Sequence, residues 1–116
     1  MRNLRRERLR TLIREEVSAI FEKELKDPRV GFVTITDVEV SPDGRYVKIR
    51  VSVLGSEEEA KETMEGLNHA LSFIRSRIAQ TLQLRYAPLI AFEYDSSLAK
   101  SAKVQEILKS LEEKGE

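Results

Sequence analysis

The chain has 116 residues, 41% of them hydrophobic, which is material for one domain with a single core and little left for a second. Twenty Lys and Arg balance 20 Asp and Glu, which argues against a general polyanion binder unless the charges are sorted in space. The absence of Cys excludes a disulfide framework, a thiolate metal site and a cysteine nucleophile and favours a cytoplasmic setting, and no apolar run is long enough to span a bilayer.

The charges come in blocks. Residues 1 to 14 carry six Arg against Glu7 alone, and residues 15 to 44 carry three bases against eight acids. Arg45, Lys48 and Arg50 follow with no acid among them, then five Glu against Lys61 in residues 51 to 65. A fold that gathered the basic blocks on one side would carry a strong local field under a neutral total.

Leu9, Leu12, Ile13, Val17, Ile20 and Phe21 recur at spacings of three and four, the stripe of a helix from about Asn3 to Lys26. The opening is as rich in Arg as a transit peptide, but it lacks Ser and continues in phase into an acidic helix. Asp27-Pro28 stops the helix, because the residue before proline is pushed out of helical geometry, and Gly31 permits a turn into extended chain. In the β-rich run Phe32 to Val40, Val33 and Ile35 share one parity and Val38 and Val40 the other, so a bulge near Thr36-Asp37 is predicted to put all four on one face. Ser41-Pro42-Asp43-Gly44 is turn chemistry. Val47, Ile49, Val51 and Val53 then point inward while Tyr46, Lys48, Arg50 and Ser52 point out, giving an antiparallel hairpin with one buried face.

Ser56 and Glu59 form a capping box. Ala60, Met64, Leu67, Leu71, Ile74, Ile78 and Leu82 make one stripe from there, a helix of about 27 residues or 40 Å if straight. A domain of this size is only about 35 Å across, so a break midway is predicted. Pro88 ends that element, and Ile90, Phe92 and Tyr94 alternate with Leu89, Ala91 and Glu93 as a third strand. From Ser97, Leu98, Val104, Ile107, Leu108 and Leu111 fall at helical spacing among Lys and Glu, which reads as a weakly docked or frayed helix. The order helix, strand, strand, helix, helix, strand is an α+β domain, a three-stranded sheet covered by helices on one face, spanning residues 1–96 with a tail over 97–116.

The most informative stretch is Gly66 to Phe92, which holds Arg75, Arg77 and Arg85 and no acid, where the chain's average would place about four or five. On a helical wheel His69, Ser72, Ser76, Gln80 and Gln83 lie opposite the core stripe, with Arg75 and Arg77 flanking them. Guanidinium suits phosphate, its forked donors matching two oxygens and its charge never lost. The competing reading is a surface helix that happens to lack acids. Ser72 could bend the helix by back-bonding to the Asn68 carbonyl, exposing N–H groups to phosphate, or could simply face solvent. Arg2, Arg5, Arg6, Arg8, Arg10 and Arg14 are scattered around their helix, either an arm for nucleic-acid backbone or a solubilised helix end. Lys48 and Arg50 lie outward on their strand, which a solvated sheet face also explains.

Catalysis is hard to build here. His69 is the lone His, no carboxylate in its segment could orient it, and there is neither a phosphate-cradling glycine loop nor a ligand cluster of metal spacing. No enzyme activity, metal or cofactor is expected.

Asp27-Pro28-Arg29-Val30-Gly31, Thr34-Ile35-Thr36, Ser41-Pro42-Asp43, Phe73-Ile74-Arg75 and Tyr94-Asp95-Ser96-Ser97 lie in runs that closely resemble the ribosome-binding factor A family, and the likeness covers nearly the whole chain. The resemblance implies a type II KH-like fold and an assembly factor that binds the immature small ribosomal subunit and its rRNA in late maturation and rRNA processing, with a role in cold adaptation. It implies a monomer in the cytoplasm, with ribosomal proteins or a maturation GTPase as further partners. KH modules clamp nucleic acid with a Gly-x-x-Gly loop between two helices. In this family an Ala-x-Gly kink replaces it, and this chain reads Ala70-Leu71-Ser72, so a shallower kink is expected. Phosphate contacts are therefore expected from Arg75, Arg77 and Arg85, extended by Lys48, Arg50, Arg5, Arg6, Arg8 and Arg10. The rival is a protein-docking adaptor that grips a ribosomal protein or a maturation enzyme through anchors such as Phe73 or Leu84.

Overall fold

Ile13, Val17 and Ile20 leave no surface exposed to solvent, and they set the face by which the first helix meets the sheet. The computed structural model describes residues 2–25, 32–97, 106–107 and 109–112. Its elements run α1 (Arg2–Lys23), β1 (Val33–Val40), β2 (Tyr46–Val53), α2 (Glu57–His69), α3 (Leu71–Thr81) and β3 (Leu89–Tyr94). The strands form one sheet in the order β1-β2-β3, antiparallel between β1 and β2 and parallel between β2 and β3. A parallel pair needs a crossover, and α2 and α3 supply it across the face that α1 also covers.

The inward residues of all three strands and the stripes of the three helices form one core, including Val38, Ile49 and Ile90 against Val17, Leu67 and Ile74. Full burial of each Val or Ile contributes about 1.5–3 kcal/mol before entropy is counted. The parity slip in β1 is resolved by a bulge. Pairing passes from Ile35↔Val51 to Asp37↔Arg50, leaving Thr36 over and returning Val38 and Val40 to the buried side. The Thr36 hydroxyl donates to Asp95 Oδ2 at 2.8 Å, tying the bulge to the end of β3.

The turn between β1 and β2 is closed by the Gly44 N–H donating to the Ser41 carbonyl at 2.9 Å, with Gly44 at φ 74, where a side chain would be strained. The capping box at Ser56 is complete: its hydroxyl accepts from the Glu59 N–H at 3.1 Å, and Glu59 Oε1 accepts from the Ser56 N–H at 3.2 Å.

One boundary differs in detail from the sequence reading. α1 ends at Lys23 rather than near Lys26: the Ile20 carbonyl accepts from the Glu24 N–H and also, five residues on, from the Leu25 N–H, a wider closure that leaves the α-helical ladder. The Asp27-Pro28 stop and Gly31 lie outside the described residues. Of the tail, residues 106–107 and 109–112 are helical, with Ile107 and Leu111 exposed; Leu98, Val104 and Leu108 lie outside the described residues.

Candidate nucleic-acid interface

α1 lies diagonally over the sheet. The Leu9 side chain comes within 3.5 Å of where a Cβ on Gly44 would stand, at the hairpin turn. Arg14 Nη2 donates to the Ile35 carbonyl at 3.0 Å, further along β1, and Phe21 meets the Phe92 ring of β3 with centroids 6.1 Å apart. The turns before Leu9 therefore project past the hairpin end of the sheet, and Leu4 to Arg8 are all exposed there. Arg45 leaves the turn at the same end. Its carbonyl accepts from the Leu89 N–H at 2.8 Å, so the segment that carries Arg85 and Tyr86 into β3 arrives there too. Among the described residues, Arg5, Arg6, Arg8, Arg10, Arg45 and Arg85 make no ion pair. Two acids sit close by. Glu7 is exposed on α1, and Asp43 is turned into the hairpin, where the Ser41 hydroxyl and then the Arg45 N–H hold its carboxyl below the usual range.

The α3 arginines are differently placed. Arg75 Nε donates to the Pro88 carbonyl at 2.8 Å and Nη2 to the Ala87 carbonyl at 3.4 Å, so its guanidinium staples α3 to the start of β3. Arg77 pairs with Glu24 at the end of α1, and its guanidinium carbon stands 5.4 Å from the centre of the Phe73 ring. The phosphate contact expected of both therefore competes with bonds inside the fold. The α3 wheel places them correctly beside the core stripe, but it cannot show that the chain returns with carbonyls and a carboxylate to meet them.

On the sheet face away from the helices Arg50 is likewise engaged inside the fold. Arg50 Nη1 meets Asp37 Oδ2 at 2.9 Å and Glu39 Oε1 at 2.8 Å, and Nε meets Glu93 Oε1 at 3.0 Å. Hydrogen bonds to Glu39 and Glu93 raise the Arg50 pKa further, and the same bond followed by the Lys48 charge lowers that of Glu93. Lys48 Nζ is 3.6 Å from Glu93 Oε2, but both side chains stay half exposed, so this pairing is loose. The acids come from β1 and β3, each registered beside β2, and outward parity alone does not reveal that three carboxylates share one guanidinium.

The long helix breaks at Ala70, which has φ −89 and ψ 3 and is both the last cap of α2 and the first of α3. The Ala70 N–H is shared between the Gly66 and Leu67 carbonyls, each at 3.1 Å. Ser72 does not back-bond to Asn68; among the described residues its hydroxyl has no hydrogen-bond partner, and it faces solvent with His69, Ser76, Gln80 and Gln83. No side chain caps the start of α3. α3 closes on Gln83 at φ 53, with the Gln83 N–H donating to Gln80 at 3.3 Å and the Leu84 N–H to Ala79 at 2.9 Å. This is a Schellman ending with glutamine where glycine is usual, and it turns the chain toward Arg85 and Tyr86.

The candidate residues that the sequence reading left out are Arg45, Tyr46 and Tyr86. Arg45 and Tyr46 follow the turn directly, and Tyr86 sits between the last helix and the last strand, so their places beside predicted breaks were the available signal. Among the described residues no group of three or more His, Asp or Glu could hold a metal ion, and no helix is long and apolar enough to cross a membrane.

A mixed three-stranded sheet in the order β1-β2-β3, with three helices on one face and a broken α2–α3 crossover, defines a type II KH-like domain. The family model for Ribosome-binding factor A matches residues 5–108. The chain is 47% identical over 116 residues to Ribosome-binding factor A of Halothermothrix orenii, covering 100% of this chain and 95% of that protein. It is 51% identical over 108 residues to the Dictyoglomus thermophilum protein of the same name, covering 92% of this chain and 90% of that one. Among solved structures it resembles a Thermus thermophilus ribosome-binding factor A homology model fitted into the cryo-EM map of a 30S complex, with TM-score 0.58, 26% identity, and coverage of 84% and 96% of the two chains. The chain belongs to the ribosome-binding factor A family.

Proposed function

We propose that this protein is a non-catalytic assembly factor that binds the immature small ribosomal subunit in the cytoplasm and contacts its rRNA through the hairpin end of the domain. The relative fitted into a 30S complex supports the target. The observation that carries the rRNA contact is the exposure of Arg5, Arg6 and Arg8 on the overhanging turns of α1, at the end where Arg45 leaves the hairpin and Leu89 meets it; Arg10 and Arg85 adjoin these segments in sequence, and none of the six is in an ion pair among the described residues. Lys48 borders this end with only a loose pairing to Glu93, while Arg50, Arg75 and Arg77 hold the fold beneath it. A neutral total charge is compatible with this arrangement, because phosphate responds to the local field. The protein-docking reading has the partly exposed Phe73 in its favour, but the Arg77 guanidinium lies over that ring.

The test is co-sedimentation with immature small subunits across a salt titration. Replacing Arg5, Arg6, Arg8 and Arg10 together by Ala should lower the log–log salt slope by about three to four units, about 0.9 for each phosphate no longer neutralised. Arg75→Ala should leave the slope unchanged. An unchanged slope in the fourfold variant would remove the amino-terminal helix from the interface.

A further inference from the structure

Tyr46 is 57% exposed on the uncovered sheet face and is registered beside Leu89, itself 51% exposed. Together with Ala91 and Lys48 they line a shallow groove at the hairpin end. Tyr86, 74% exposed, stands three residues before Leu89 on the segment fixed by the Arg75 staple. We infer that this tyrosine-bearing patch is a stacking platform for unpaired bases of RNA, which deepens and rests on the proposed rRNA contact. An aromatic ring on an open sheet face offers a flat apolar surface that any base can cover.

Charge decides the occupant. Arg45 precedes Tyr46 and Arg85 precedes Tyr86, both exposed and neither in an ion pair among the described residues, so each tyrosine has an unneutralised cation next to it in the chain for the phosphates of a strand whose base covers the platform. Of the acids at this end, Glu39 is bonded to Arg50 and Asp43 accepts hydrogen bonds inside its own turn, while Glu7 stands on α1 among Arg5, Arg6 and Arg8 and is outnumbered by them. A protein partner would ask for a broader apolar centre than two or three side chains. A duplex hides its base faces, so the platform selects single-stranded RNA.

The chain has no Trp and three Tyr, so its ultraviolet emission comes from tyrosine alone and reports stacking directly. The full chain is titrated with an oligoadenylate strand, an abasic strand of the same length and charge, and an RNA duplex. Oligoadenylate should quench the emission and bind about five- to tenfold more tightly than the abasic strand. Tyr46→Leu keeps an apolar side chain on the strand and should abolish that preference without changing abasic binding. Tyr46→Phe should retain it, and so should Tyr94→Phe at the far end of β3. Equal affinity for oligoadenylate and abasic strands, or a preference that survives Tyr46→Leu, overturns the inference. If Tyr46→Leu weakens subunit binding while no RNA strand quenches, the patch takes a ribosomal protein and the inference is again overturned. Subunit sedimentation of the unmutated protein separates the two readings: its failure would sink the proposed function, whereas the titration decides stacking on its own.

Discussion

Two sets of arginines in this molecule have opposite fates. Those of α3 lie on a helix anchored along its length, with other elements close enough to supply acceptors, so Arg75 and Arg77 end on carbonyls and a carboxylate. Those at the start of α1 overhang the sheet, and among the described residues no carboxylate reaches them. Acid-free stretches of sequence are thus poor indicators of free charge: a guanidinium finds its partner through the fold, and acceptors distant in the chain close the pair. What marks an available cation is its position beyond the last packed residue, here beyond Leu9.

The largest effect that would test this contrast is on stability. Arg75→Ala removes two charge-assisted bonds and strands the Pro88 and Ala87 carbonyls, so urea unfolding should show a loss of about 1–3 kcal/mol. Arg6→Ala, by contrast, should stay within about 0.5 kcal/mol. Equal stability losses at the two sites would erase the distinction between staple and free cation.

A smaller effect should appear chiefly in pH dependence. Arg50 lowers the Glu93 pKa in the folded state, so this contribution is complete above the ordinary carboxylate value and is lost as pH falls through the folded one. In Arg50→Ala, Asp37, Glu39 and Glu93 would be left facing one another, and their charge would oppose folding at neutral pH. Thermal unfolding followed from neutral pH down through the carboxylate range should therefore show the stability deficit of Arg50→Ala shrinking with acid. A deficit independent of pH would mean that the cluster contributes packing and not charge.

The architecture was legible because each cue was local and redundant: the inward valines of β2, the Ser56 box, the Ser41-Gly44 turn, and the parity slip that required a bulge. The helix break was legible as a matter of length, since a straight helix would outrun the domain, but its cause was not. Ala70 takes the break in ordinary bridge-region geometry, with no help from the Ser72 hydroxyl. The site was least legible. Charge blocks can be read from sequence, but the approach of Glu24 to Arg77 and of Asp37 and Glu93 to Arg50 depends on tertiary structure, as does the arrival of Leu89, four residues after Arg85, beside Arg45. Tyr46 carried the right parity for the open face, and its significance rests on Leu89 lying next to it across a parallel pairing that sequence spacing does not encode.

The α3 terminus sharpens the comparison from the side of the display segment. Gln83 holds φ 53, a conformation that costs a side-chain-bearing residue energy that glycine is spared. Gln83→Gly should raise stability by about 0.5–1 kcal/mol net of glycine's greater freedom when unfolded. If Arg85 and Tyr86 owe their presentation to the Schellman ending rather than to glutamine itself, RNA affinity should not change. Reduced affinity at undiminished stability would instead assign the Gln83 side chain a place in the interface.

The smallest expected effect concerns the break. Were the Ser72 hydroxyl prying the helix open, its removal would straighten α2 and α3 into one rod and move His69 relative to Arg77. Because the hydroxyl has no partner among the described residues, Ser72→Ala should change stability by no more than about 0.5 kcal/mol and leave amide chemical shifts around Ala70 in place. The break then belongs to packing: Leu67 and Ile74, both fully buried, lie on opposite sides of Ala70, and each must face the same core. A large shift perturbation centred on Ala70 in Ser72→Ala would return the cause to the side chain and make the break a local property of sequence.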